Sequence, residues 1–206
     1  MIVAVVGSGG KTTYIEEQAK AYVKQGKRVF VTTTTHMYAT QDTLFTNDAA
    51  EICACLQTTG YCMAGQRADV EMTAMDPAAW SGKNKDSGGV KIRALSAEVL
   101  AEAAQCADVV LVEADGSKQK PVKYPAAHEP VIPAGTDKIV VVMGFFAAGH
   151  PIREVCHRPE LVCACLGVDE NHRLTEEDLE KLVEEGYLKP LKKRFPQAEI
   201  ILKKSL

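Results

Sequence analysis

The chain reads as an α/β protein with three layers: a mostly parallel sheet with helices on both faces. Three observations predict it. Ile2-Val3-Ala4-Val5-Val6 is an unbroken, largely β-branched run, the form of a strand buried on both faces of a parallel sheet. It stops at Gly7-Ser8-Gly9-Gly10, after which Ile15, Ala19, Tyr22 and Val23 fall on one face of a helix. Two more aliphatic runs, Val109-Val110-Leu111-Val112 and Ile139-Val140-Val141-Val142, recur between helical segments, as parallel crossovers require.

The turn after the first strand carries the clearest chemistry. Glycines fold the backbone tightly and turn N–H groups inward. The helix N-terminus adds unpaired donors and a partial positive charge. In Gly7-Ser8-Gly9-Gly10-Lys11-Thr12-Thr13 the lysine is placed to reach terminal phosphates, and the Thr12 hydroxyl to bind Mg²⁺. The long phosphate-loop pattern needs glycine at position 5, where the chain has Val5. The shorter G-x-x-G-K-T-T form is complete. The fold expected is therefore a P-loop nucleotide-binding fold, with ATP or GTP and Mg²⁺ as ligands.

A length of 206 residues allows one domain with a sizeable core. A net charge of −3 gives no reason to expect nucleic acid or an anionic membrane as partner. The longest apolar run, 139–149, is too short to span a bilayer, and the N-terminus lacks a basic leader. The expected location is the cytoplasm. None of the seven cysteines forms a C-x-x-C pair. The two C-x-C pairs, Cys53/Cys55 and Cys163/Cys165, read as small buried thiols; a part in sulfur or selenium handling is the alternative.

Further along the chain, Gly26-Lys27 ends the first helix. Arg28-Val29-Phe30-Val31 is a strand running into Thr32-Thr33-Thr34-Thr35-His36. Thr34, Thr35 and His36 stand at the edge that faces a ligand, where Thr34 is a metal candidate; the alternative is solvent-facing strand and turn residues. Asn47 or Asp48 caps a helix through Leu56. Tyr61–Ala64 is a short strand. An irregular loop, with Trp80 its one distinctive residue, is expected near 66–94. Ser96 caps a helix through Gln105, with Val99, Leu100 and Ala103 inside.

The strand from Asp108 ends in Glu113-Ala114-Asp115-Gly116-Ser117, an acid at the C-terminal end of a buried strand. Glu113 is the first-choice metal acid, Asp115 the second, and Gly116 can offer its N–H to a phosphate. Lys118, Lys120 and Lys123 would hold an anionic second substrate or be solvated. His128-Glu129 is a proton relay, a metal pair or structural. Lys138–Met143 is another buried strand, and Pro159–Leu166 a helix. Thr175 and Asp178 form a capping box over a helix with Leu179, Leu182 and Val183 inside. Residues 198–202 make the last strand.

Taken together, these motifs give the chain a resemblance to the YqeC family: GSGGKTT, TTTTHM, VEADGSKQKPVKYPAAHEPVIP and HRPEL carry it over most of the length. The resemblance implies an accessory protein for selenium-dependent molybdenum hydroxylases, acting in selenium cofactor biosynthesis. Its partners would be a molybdenum cofactor or selenium-carrying species and the hydroxylase. GSGGKTT is also similar to the loop of Mur-type ligases, and Glu113-Ala114-Asp115-Gly116 to the E-x-x-G of nickel-delivering GTPases. The last strand lacks the Asn and Asp of a guanine-reading N-K-x-D motif, and Val6 stands where a deviant P-loop would place a lysine.

The expectation is Mg²⁺-dependent nucleotide hydrolysis coupled to maturation of such an enzyme. Lys11, Glu113 and Asp115 are its catalytic candidates. One alternative is an activating enzyme or kinase acting on a small anionic or cofactor-precursor substrate. Another is a nucleotide-switched cofactor chaperone without catalysis.

Overall fold

The structure is a computed structural model and describes residues 1–68 and 89–206. The first apolar run forms β1 (Ile2–Gly7), and the glycine turn leads directly into α1 (Lys11–Lys24). The chain continues through β2 (Val29–Thr33), β3 (His36–Tyr38), β4 (Thr43–Phe45), α2 (Ala49–Thr59) and β5 (Tyr61–Arg67). After the undescribed stretch come β6 (Lys91–Arg93), α3 (Ala97–Gln105), β7 (Val109–Glu113), β8 (Val122–Lys123) and β9 (Lys138–Gly144). The C-terminal part holds α4 (Ile152–Val155), β10 (Cys156–His157), α5 (Pro159–Leu166), α6 (Glu176–Val183), α7 (Lys189–Arg194) and β11 (Glu199–Ser205).

Among the described residues, nine strands form one mixed, mostly parallel sheet in the order β11-β9-β1-β7-β2-β5-β6-β3, with β4 beside β5. Only β6 pairs antiparallel, with β3 and β5. The chain goes from β1 to β2 on one side and later to β9 on the other. That reversal opens a crevice at the C-terminal ends of the strands, where open α/β sheets bind ligands.

Side chains of the central strands alternate between two cores, as the pleat requires. Val3 and Val5 of β1, Val109 and Leu111 of β7, and Val140 and Val142 of β9 pack with Ile15 and Ala19 of α1. Ala4, Val6, Val110, Val112, Ile139, Val141 and Met143 pack on the opposite face with Ile52, Ala103, Val162, Leu179, Leu182 and Leu191. Both faces are covered, so the central strands carry no polar stripe until their C-terminal ends. The same alternation sends Glu113, two residues past Leu111, toward α1.

The caps sit where the sequence puts them. The Asp48 carboxylate accepts from the Ala50 N–H at 2.8 Å, the Ser96 hydroxyl from Val99 at 3.3 Å, and the Thr175–Asp178 capping box is complete. Other expectations are corrected. Val23 is exposed. Eight residues at about 100° each leave it about 80° round the helix from the buried Ile15, at the margin of the sheet-facing stripe. Gln66 and Arg67 belong to β5 and pair with β6, so strands replace both ends of the irregular loop expected near 66–94. Trp80 and the turn-forming dipeptides lie outside the described residues. Cys53 and Cys106 are joined in a disulfide, not free thiols, because α2 and α3 lie side by side and bring their Cα atoms within 5.4 Å. No helix among the described residues is long and apolar enough to cross a membrane.

Candidate functional site

The glycine loop takes backbone conformations that side chains resist. Gly7 and Gly10 have φ of +90° and +121°. A Cβ on Gly7 would lie 2.0 Å from the Val142 carbonyl oxygen, so the loop closes against β9 only with glycine there. The Ser8 N–H donates to that carbonyl at 2.8 Å. The first bond of the α1 ladder runs from Tyr14 N–H to the Gly10 carbonyl, 2.9 Å. The N–H groups of Gly9, Gly10, Lys11, Thr12 and Thr13 therefore have no acceptor in the ladder and form a cradle at the helix N-terminus.

Lys11 is 5% exposed. Its ammonium donates to the Gly7 carbonyl at 2.8 Å and lies 3.5 Å from the Ser117 hydroxyl and 3.9 Å from the Glu113 carboxylate. Glu113 is level with Val5 of β1 and Thr33 of β2 in the sheet register. Its Oε2 accepts from the Thr12 hydroxyl at 3.3 Å. Burial pushes the Glu113 carboxyl above its ordinary range, with Lys11 and Thr12 pulling the other way. A hydroxyl and a carboxylate thus meet beside the cradle. Among the described residues no cluster of three or more His, Cys, Asp or Glu could cage a metal. A Mg²⁺ ion, which keeps waters and phosphate oxygens as ligands, needs no such cage; Thr12 and Glu113 fit it.

Asp115 has a different position from Glu113. It is fully buried and accepts from three donors: the Gly7 N–H at 3.1 Å, the Tyr187 hydroxyl at 2.8 Å, and the Lys123 ammonium. Lys123 is fully buried as well, pairs with Glu129 at 2.8 Å, and donates to the Gly116 carbonyl at 2.6 Å. Glu129 in turn pairs with Arg158 through both carboxylate oxygens. Lys123 is therefore committed to two carboxylates rather than turned to a solvent-borne substrate. Burial by itself would raise the Glu129 carboxyl, but hydrogen bonds from Arg158 and Lys123 hold it down at about 2.

That depression makes Glu129 a source of acid sensitivity. A carboxyl whose folded value lies below its ordinary 4.5 stabilises the fold above that pH, and the contribution is lost as pH falls toward about 2. Glu129→Gln is expected to be less stable at neutral pH but to lose less stability between pH 5 and 2. Denaturant melts across that window check it; equal losses in both proteins would remove Glu129 from the acid response.

The other candidates scatter. The Thr32 and Thr33 hydroxyls donate to the carbonyls of Ala64 and Glu113, both at 2.8 Å, stitching β2 to its neighbours. The Thr34 hydroxyl donates to the Val131 carbonyl at 2.5 Å. His36 is exposed on β3, opposite Arg93. Lys120 donates to the Glu154 carbonyl at 2.6 Å. The His128 side chain is 74% exposed and 3.9 Å from Glu129. Lys118 is exposed with no hydrogen bond or ion pair among the described residues. Lys118 and Gln119 both have positive φ, and a 2.7 Å bond from Gln119 to the Tyr38 hydroxyl holds that turn. Two of the free thiols are held away from the thiolate form: burial raises Cys156 to about 12, and burial with a bond to Cys55 does the same for Cys62.

Three contributors escaped the sequence reading: Ser117 against Lys11, Arg158 against Glu129, and Tyr187 against Asp115. Ser117 comes directly after the acidic turn and could have been singled out. Arg158 and Tyr187 stand 29 and 72 residues from their partners, with no motif to join them.

No solved structure matches the chain. The YqeC protein family model matches residues 3–160, which include the glycine loop, Glu113, Asp115 and Glu129. The curated protein "Uncharacterized protein YqeC" of Escherichia coli (strain K12) is 30% identical over 188 residues, spanning 88% of this chain and 67% of that protein. On the match across most of its length, the chain belongs to the YqeC family.

Proposed function

We propose that the protein is a Mg²⁺-dependent nucleoside triphosphatase of the P-loop kind, working in the maturation of a selenium-dependent molybdenum hydroxylase. The observation that carries the first part is one convergence. The amide cradle from Gly9 to Thr13, the Lys11 ammonium and the Thr12–Glu113 contact share the C-terminal edge of the sheet. The maturation role rests on family resemblance.

In this reading the loop amides and Lys11 bind the phosphates, and Thr12 with Glu113 holds Mg²⁺, which neutralises phosphate charge. Catalysis of this type is positioning plus charge neutralisation, so few groups suffice. Ser117 adds a hydroxyl 3.5 Å from the Lys11 ammonium, and Gly116 would offer its N–H to a phosphate. Asp115, with all its partners internal, supports the loop rather than touching the nucleotide.

Titration calorimetry with ATP and with GTP, each with and without Mg²⁺, tests the reading. Binding of one of them, tightened by Mg²⁺, is expected; no binding of either overturns it. Glu113→Gln, which weakens the hold on Mg²⁺, is expected to bind triphosphate but to lower turnover by on the order of 100-fold. Full turnover in that variant would remove Glu113 from the reaction. Lys118, the one lysine of its cluster without a partner among the described residues, favours a second reading, transfer to an anionic acceptor. Phosphate release without any acceptor argues against it.

A further inference from the structure

The helix α6 does not end at Val183. It passes through a π-helical turn, Glu184–Leu188, into α7. A π turn carries one extra residue and rotates the helix beyond it, and such turns often mark function. Here it presents Tyr187, fully buried, with its hydroxyl 2.8 Å from Asp115. Burial first, then the Asp115 carboxylate, push the phenol well above its ordinary range, so it stays a donor. Gly186 beside it is needed for fit: a Cβ there would lie 2.9 Å from Pro125 and 3.0 Å from the Tyr124 ring, in the segment that carries Lys123.

Asp115 joins this turn to the glycine loop. One oxygen, Oδ2, accepts from both Tyr187 and the Gly7 N–H, while Oδ1 faces Lys123. Gly7 then holds Lys11 through its carbonyl. We propose that Tyr187 is a positioning residue of the phosphate loop, acting through Asp115 on the Gly7 amide. It touches no nucleotide. Its hydroxyl keeps Oδ2 aimed at Gly7, which anchors the residue at which the cradle and the Lys11 perch begin. The matched family span stops at residue 160, so this support comes from outside it. The inference rests on the phosphate-loop reading for its effect on binding, but not for its effect on Gly7.

The test compares wild type, Tyr187→Phe and Leu191→Ala. The first variant removes only an oxygen atom from a buried ring. The second loosens the same helical segment without touching Asp115. In Tyr187→Phe, triphosphate affinity with Mg²⁺ is expected to fall about tenfold, the cost of one hydrogen bond to a charged group. Leu191→Ala should lower the melting temperature at least as much and leave affinity alone. Amide exchange by NMR supplies a readout without nucleotide: the Gly7 N–H is protected in wild type and exchanges faster in Tyr187→Phe, but not in Leu191→Ala. Unchanged Gly7 exchange in Tyr187→Phe overturns the proposal, as does an equal loss of affinity in both variants. If wild type binds no triphosphate while Gly7 responds as expected, the nucleotide reading fails and the Tyr187–Asp115–Gly7 linkage stands.

Discussion

Replacing Lys123 by methionine is expected to lower the melting temperature by on the order of 10 °C. Methionine keeps most of the volume of the lysine stem and removes the ammonium. That group is fully buried between Asp115, which is fully buried too, and Glu129. Removing one member of a buried pair leaves an uncompensated charge, at a cost of roughly 3–5 kcal/mol. In a protein of this size each kcal/mol shifts the midpoint by about 2–4 °C. Arginine is no rescue, because its planar fork does not fit the compact space of an ammonium. Combining Lys123→Met with Asp115→Asn should recover part of the loss, since the orphaned charge is gone. Circular-dichroism melts at neutral pH check both; a shift of only about 1–2 °C for the single variant would show that the two carboxylates tolerate separation.

Lys11→Ala is expected to weaken triphosphate binding by about 100-fold with a far smaller effect on the fold. In the structure the Lys11 ammonium rests on one backbone carbonyl and near one hydroxyl, both at the mouth of the cradle. Losing a charge-assisted contact to phosphate corresponds to roughly 3 kcal/mol. Glu113 loses its nearest cation in this variant, but at 3.9 Å that pairing is looser than the contacts Lys123 makes to its two carboxylates. Calorimetry in the presence of Mg²⁺ is the measurement. Wild-type affinity in Lys11→Ala would end the phosphate-loop reading. The two lysines are thus expected to differ in kind: Lys123 in stability and, in the proposed reading, Lys11 in ligand binding.

Several features of the site were legible in local pattern. The run 2–6, the glycine turn and the α1 periodicity mark a strand–loop–helix unit, because each is a short-range signal with its own physical cause. The acid at the end of β7 is legible for the same reason: a buried strand tolerates an acid only at its end. The caps at Asp48, Ser96 and Thr175 arise from side chains that compete for nearby N–H groups. The short strands β3, β4, β6, β8 and β10 are not legible. Each is a strand only because a partner strand lies beside it, and two or three residues carry no usable period.

The sequence by itself determined the central strand–loop–helix unit, the glycine turn at the helix N-terminus and the acid facing it. These depend on residues close in the chain and on the alternation of a buried strand. Only the tertiary structure decided how the charged residues after that acid divide. Sequence order ranks Glu113 before Asp115 for one and the same role, and makes Lys118, Lys120 and Lys123 a single cluster. The sheet sends Glu113 toward Thr12 and Lys11, while Asp115, past the strand end, meets Tyr187 and Lys123. Of the lysines, one is buried in ion pairs, one caps a carbonyl and one remains exposed. Burial and pairing of a charge depend on partners brought in from far along the chain, and no local pattern contains them.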